Sequence, residues 1–448
     1  MRPSCGQTAH AQNGPRAPRQ GTCVALLDSE GHNAAMTRRD RSAMFLAGAA
    51  LGMVNTLNAR RPFTRRGVGS VGSFFPGSLT SELPLHTIAW QALATSAFVR
   101  RGALRRPAGL AGFALATASW AMLARIHAQA CRARDVFDTS LTEAFDRSGG
   151  ELVDDEATDL DWRQIAGGPL IRWRRRYVAT GDGDVSYGDA GRRNRLDVWR
   201  SPTLPRYAGA PVLVQVHGGA WVIGNKQQAT VPLMAHMCDR GWVCVAIDHR
   251  TSPRATWPDH IVDVKRALAW VKANIDRYGG DPGFVAITGG SSGGHLSALA
   301  ALTPNEAAFQ PGFEDADTSI DAAVPLYGVY DFINRDSSGR ADLEEFLAEI
   351  VIKSPLADDP ERWDAASPMS WVTADAPPMM VIHGGNDSLF PVEQARSFAT
   401  RLLEVSANPV VFAELPGAQH GFDLFASPRA LLSASAVHRF LESVRQAS

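Results

Sequence analysis

Six short apolar runs recur through the C-terminal part of the chain, at 212–217, 242–248, 284–288, 322–327, 379–383 and 410–415. Strands that read as nearly continuous apolar runs, rather than alternating with polar residues, have to be covered on both faces. Helices supply that cover when they alternate with the strands, and 261–278 carries apolar residues at helical spacing. The alternation predicts an α/β fold: a mostly parallel, twisted sheet with helices on both faces and right-handed crossovers. Two further runs, 171–180 and 196–200, are expected to open it as an antiparallel hairpin, so this domain covers 171–448. The pattern breaks at 329–370, where an acidic helical segment around 341–352 leads into a loop rich in Pro and Asp. An insertion there is expected to lie over the carboxyl ends of the strands, where open α/β sheets bind ligands.

Upstream the texture differs. Residues 1–35 are rich in Gly, Pro, Gln, Arg and Ala without periodicity and are expected to be disordered. Met36 is a second candidate start of translation. Within 36–134 three uncharged stretches, 43–59, 83–99 and 107–124, are each flanked by arginines, among them Arg41, Arg60, Arg100, Arg106 and Arg125. Their length is at the short end of what crosses a bilayer, and their Ala and Gly content weakens the transfer free energy. Membrane association of 43–124 is the favoured reading, by spanning or lying in the interface, which would place the protein at a membrane or in the cell envelope. An apolar helical cap on a cytoplasmic protein is the alternative. For the first stretch a signal peptide or anchor competes, with retention favoured because no clean cleavage site follows. Residues 135–170 are expected to connect the two regions.

Composition excludes little else. The 448 residues carry a formal net charge of −1, so nothing points to nucleic acid as a partner. The five cysteines, at 5, 23, 131, 238 and 244, lack metal-ligand spacing, and neither metal nor cofactor is implied. Cys238 and Cys244 read as buried free thiols.

Four motifs carry chemistry. Thr288-Gly289-Gly290-Ser291-Ser292-Gly293-Gly294 follows one strand and opens a helix. A serine at such a tight turn projects its Oγ above the sheet, and the helix N-terminus adds N–H groups where an oxyanion would form. Glycine spacing alone fits Ser291 or Ser292. Because the strand ends at Thr288, Ser291 stands at the tip and is the expected nucleophile. His217-Gly218-Gly219-Ala220-Trp221 follows an earlier strand, and paired glycines there can turn backbone N–H groups toward a substrate oxygen. Asp387, in the loop after a late strand, can fix the tautomer of a histidine. His420, in the loop after the last strand, is the expected base. Asp423 is the rival acid, and His217, His249, His295 and His383 are expected to be structural. Trp221, Phe390 and Phe422 could line an apolar acyl or alcohol pocket, or equally belong to the core.

With serine, acid and histidine in that chain order, the sequence resembles α/β-hydrolases. More closely it resembles bacterial esterases related to hormone-sensitive lipase, particularly the Lip-type carboxylesterases of mycobacteria, across about 170–445. His217 to Trp221 is similar to their H-G-G-G-[FYW] motif, and Gly289 to Gly294 to their G-D-S-A-G-G elbow. Asp248-His249-Arg250 with Pro253 and Pro258 looks like their D-Y-R-L-A-P stretch. The resemblance implies the α/β-hydrolase fold and two-step hydrolysis of short to medium acyl esters, of small molecules or lipids. It implies an oxyanion hole built from the N–H groups of Gly219, Ala220 and Ser292, with Gly218 shaping the turn. Two departures stand out: Ala220 replaces the third glycine, and Gly290 replaces the acidic residue before the nucleophile. Because H-G-G-x-W also resembles arylformamidases, amide or formamide cleavage is the alternative activity, and a non-catalytic binding protein a more distant one.

Overall fold

A computed structural model describes residues 38–65, 67, 69–153, 160, 162–166, 171–227 and 230–448. The segment 1–35 expected to be disordered, with Cys5, Cys23 and Met36, lies outside the described residues.

Eight strands form one sheet: β1 (Val185–Ser186), β2 (Arg195–Trp199), β3 (Ala210–Val216), β4 (Val243–Ile247), β5 (Gly280–Gly290), β6 (Ala322–Leu326), β7 (Met379–Gly384) and β8 (Val410–Leu415). Their order is β1-β2-β4-β3-β5-β6-β7-β8. Only β1–β2 and β2–β4 pair antiparallel; from β4 to β8 the sheet is parallel. The continuous apolar runs are explained by two-sided cover. Val212, Val214 and Val216 of β3 enter one core, while Leu213 enters the other. The first core takes its helical residues from α9 (Asp259–Asn274), α10 (Ser292–Leu302) and α13 (Val392–Val405). The second takes most of them from α8 (Val231–Asp239), α14 (Pro428–Ala447) and a helix upstream of the sheet. Cys238 and Cys244 are buried free thiols in this second core.

One expected strand is a helix. Residues 171–177 form α7 (Ile171–Tyr177), whose four arginines are good helix formers. Arg174 pairs with Asp197 of β2 at 2.7 Å, and Tyr177 stacks on Trp199. The helix therefore packs across β2, and β1 takes the edge of the sheet instead.

The N-terminal apolar stretches are helices: α1 (Arg38–Arg60), α3 (Pro84–Arg100) and α4 (Pro107–Cys131), with α2 (Gly69–Glu82) between the first two. Contacts fix their directions. Arg41 at the start of α1 donates to the carbonyl of Arg101 past the end of α3, and Phe45 stacks on Phe98. The two therefore run antiparallel. Ser42 bonds Ala103, and Thr56 meets Ser119, so α1 and α4 run parallel. Their approach is close: a Cβ on Gly112 would lie 3.1 Å from the Cα of Leu46. Of the segment expected to connect the two regions, 135–148 forms most of α5 (Ala133–Ser148). It buries Phe137, Leu141 and Phe145 in the second core beside α14.

The end of α2 is fastened to the start of α14 by a buried ion pair. Arg429 donates to Glu82 Oε1 at 2.9 Å, and Ser427 donates to Oε2 at 3.0 Å. Burial raises the Glu82 carboxyl above its ordinary range, opposed by the charge on Arg429 and the hydrogen bonds of Ser427 and Ser81. Breaking such a pair from one side leaves a charge without a partner. Arg429→Ala is therefore expected to lower stability by about 3–5 kcal/mol, and Arg429→Met with Glu82→Leu to restore most of it. Denaturation midpoints of the variants check this.

Candidate active site

Loops after the carboxyl ends of β3, β5, β7 and β8 carry the residues singled out in the sequence. At the end of β5 the chain turns sharply, and Ser291 takes φ 60° and ψ −122°. Its N–H donates to Leu326 O, and its carbonyl accepts from His295 in the first turn of α10. A left-handed φ at a non-glycine residue stores strain, which packing on both sides must hold. Ser292 opens α10, and its hydroxyl is buried with no hydrogen-bond partner among the described residues.

The His217–Trp221 loop lies against this turn. A Cβ on Gly218 would sit 2.6 Å from Gly290 O and 3.1 Å from Ser291 Cβ, so only glycine fits between the two loops. Ala220 and Trp221 follow at φ 51° and 60°, a second strained stretch beside the first. His217 Nδ1–H donates to Gly218 O at 2.8 Å, and its ring stacks on His249 at 4.2 Å. Burial lowers both imidazoles below their ordinary range and keeps them neutral. His295 accepts from Trp221 Nε1 and donates to Ala366 O.

His420 Nδ1 donates to Asp387 Oδ2 at 2.7 Å, both side chains being buried. The same oxygen lies 3.3 Å from His383 Nε2, while Oδ1 accepts from the N–H groups of Leu389 and Phe390. Burial alone would raise the Asp387 carboxyl. The His420 charge and the hydrogen bonds from His383 and His420 outweigh it and hold the group well below the usual carboxylate range. Gln419 joins the two loops, accepting from the N–H groups of Ser388 and His420.

Three rings surround the His420 imidazole: Tyr327 at 4.6 Å, Phe390 at 5.3 Å and Phe74 of α2 at 5.9 Å. Tyr327 also packs against Gly290, where any Cβ would collide with its phenol. This explains the missing acidic residue before Ser291: its space is taken. The Tyr327 hydroxyl donates to Asp423, so the rival acid is bound to tyrosine while Asp387 holds the histidine. Trp221 and Phe422, named as candidate pocket residues, are fully buried. Trp221 lies edge-on to Phe332 and Phe422 edge-on to Tyr327, since rings of this size gain most from complete burial. Phe390 alone of the three is partly exposed.

Sequence reasoning missed Tyr327, the support His383 gives to Asp387, and the whole contribution of α2. For His383 a signal existed, its spacing of four from Asp387. For Phe74, over 300 residues from His420, none did. Beyond Phe74, Ser78 reaches the His420 carbonyl, Arg65 reaches Gly385 O and Asn386, and Asn386 donates to Arg60 O. Arg340, from the 329–370 insertion, bonds both Ser70 of α2 and Leu389 O. Among the described residues no group of His, Cys, Asp or Glu could hold a metal ion.

Burial raises Asp423 from 3.8 to about 6, against the hydrogen bond from Tyr327. A carboxyl raised on folding favours the folded state fully below its unfolded value, and that advantage is lost as pH rises through the folded one. Asp423→Asn keeps an acceptor for Tyr327 and removes the titration. Its stability relative to the parent chain should grow between pH 4 and 6, by on the order of 1–3 kcal/mol, then level off. Unfolding followed across this pH range checks it.

Known proteins resemble this chain over most of its length. The sequence model of the BD-FAE family matches residues 196–402. The probable carboxylic ester hydrolase LipM of Mycobacterium tuberculosis is 48% identical over 408 residues, 89% of this chain and 93% of that protein. Esterase LipQ of the same organism is 51% identical over 267 residues, 60% of this chain and 63% of its own length. A solved truncated carbohydrate esterase from gut microbiota superposes with a TM-score of 0.52 at 26% identity, covering 59% of this chain and 95% of that one. Sheet order, elbow and an 89% span of shared sequence lead to one assignment: the chain belongs to the Lip-type carboxylic ester hydrolases, α/β-hydrolases that cleave carboxylic esters.

Proposed function

We propose that this serine carboxylesterase works through Ser291, His420 and Asp387. The observation that carries the reading is the buried 2.7 Å bond from His420 Nδ1 to Asp387, which leaves Nε2 as the basic nitrogen. His420 takes the Ser291 proton as Oγ attacks the ester carbonyl, and Asp387 stabilises the imidazolium that forms. The tetrahedral oxyanion accepts from the N–H groups of Gly219, Ala220 and Ser292, each such donor worth about 3–4 kcal/mol in the transition state. Collapse expels the alcohol, protonated by His420, and water then repeats the sequence to free the acid. Relatives named as ester hydrolases do not favour the amide-cleaving or non-catalytic alternatives.

We further propose that α1, α3 and α4 hold the enzyme at a membrane. Two described helical segments, Asp40–Arg60 and Pro107–Ser148, are long and apolar enough to cross one, yet only 28% of the most apolar window of each is buried. Core helices of soluble proteins are mostly covered. Here Leu51 (71%), Trp90 (72%) and Leu93 (67%) remain exposed, an apolar surface that water disfavours and hydrocarbon does not.

Ser291→Ala should cut kcat by roughly 10⁶, whereas Ser292→Ala, which keeps its N–H, should cost about tenfold at most. A fluorophosphonate adduct located at Ser292 by mass spectrometry would reverse that assignment. Full-length protein should sediment with membranes and need detergent for release; recovery in the detergent-free supernatant would count against the membrane reading.

A further inference from the structure

A cavity of about 820 Å³ lies among the N-terminal helices, a volume ordinary for a small-molecule site. It follows the seam between the antiparallel α1 and α3. Its lining on α1 runs from Phe45 to Asn58, roughly 20 Å at the rise of an α-helix. The far end is closed by the stacked pair Phe45 and Phe98. The near end meets α2, which lines the cavity with Gly69, Gly72, Ser73 and Pro76. The next residues of that helix turn to the base loop: Phe74 to the His420 ring and Ser78 to its carbonyl. One small-residue helix is thus the only element these contacts place between the cavity and the proposed base.

The lining is mostly apolar, with Asn58 and Thr87 at the α2 end, Gln91 midway and Thr95 beside Phe98 toward the far end. Leu51, Val54 and Trp90 are also among the exposed apolar side chains of the module, so the groove opens on the surface that would face lipid. Its axis follows the helices, the direction in which lipid chains run if those helices cross the bilayer.

We propose that the groove between α1 and α3 receives the long acyl chain of a membrane lipid ester whose carbonyl is presented to Ser291. This rests on the esterase and membrane readings above and names their substrate class. The ester stays at Ser291, and the distal methylenes of the chain lie past α2 against Leu51, Val54, Ala94 and Phe98. Because α2 is an α-helix about 10 Å across, a short acyl group on Ser291 ends before the groove and only a long one enters it. The N-terminal module is then part of the substrate site as well as an anchor.

The test uses the full chain in phosphatidylcholine nanodiscs. Gly48 and Gly72 line the groove, and a Cβ at either position would meet nothing within 4 Å, so a tryptophan there is the probe that fills it. For Gly48→Trp and Gly72→Trp, the ratio of kcat/KM for hexadecanoyl to butanoyl p-nitrophenyl ester should fall about tenfold or more, since excluding even two methylenes from an apolar site forfeits that much. A hexadecyl fluorophosphonate bearing a terminal diazirine provides a readout that needs no variant. It bonds Ser291 Oγ through phosphorus with loss of fluoride, and irradiation should then mark residues within 45–58 or 87–98. Ratios within twofold of the parent chain in both variants, or photoadducts confined to 329–370, overturn the proposal. A parent chain that cleaves neither ester and takes no label at Ser291 overturns the esterase reading and this proposal together.

Discussion

A carboxylate with almost no contact with water has to be surrounded by donors, and at the carboxyl edge of this sheet that demand organises the loops. Asp387 is met by the imidazoles of His420 and His383 and by two backbone N–H groups. His383 stands near the end of β7, where its Nε2–H also donates to Phe390 O, and the other donors come from loops whose paths they fix. The β7 loop folds back on its own carboxylate, and the β8 loop is drawn to it by His420. Gln419 then binds both loops together. Removing the charge would leave these donors without their acceptor, which is why the carboxyl stays ionised against the cost of burial.

The other half of the site is held by strain and close packing rather than charge. Ser291, Ala220 and Trp221 all occupy left-handed backbone, and Gly218 is pressed between them and the elbow. Tyr327 connects this half to the first, lying against Gly290 on one side and the His420 ring on the other. The absence of a side chain at position 290 and the presence of tyrosine at 327 are one feature. Beside the histidine half lies α2, fastened by the Glu82–Arg429 pair and by contacts from Phe74, Ser78 and Ser70. Through α2 the N-terminal helices therefore reach the loop that carries His420.

Much of this was legible in the sequence. Runs such as 212–217 and 379–383 read as strands covered on both faces, and all six became β3 to β8. The elbow was singled out by its place between a strand and a helix, and Asp387 and His420 by the order of serine, acid and histidine along the chain. What failed did so for physical reasons. Residues 171–177 look β-like in part, but tertiary contacts of Arg174 and Tyr177 with β2 favour a helix. Exposure cannot be read from residue type, so Trp221 and Phe422 fitted a pocket wall and the core equally, and both are buried. Long-range partners leave no local signal: nothing in 69–82 announces that Phe74 will stand beside His420, or that Glu82 will pair with Arg429.

The central claim is that Ser291, His420 and Asp387 act as one unit, and kinetics of single and paired substitutions test that most directly. Asp387→Asn alone should lower kcat by roughly 10⁴, because the imidazole loses its orienting acceptor. In the Ser291→Ala background the same change should cost almost nothing further, since a base with no nucleophile to activate has nothing left to lose. Losses that multiply, with the double variant slower than Ser291→Ala by the full factor of the single one, would show that the two side chains act independently and would contradict the account.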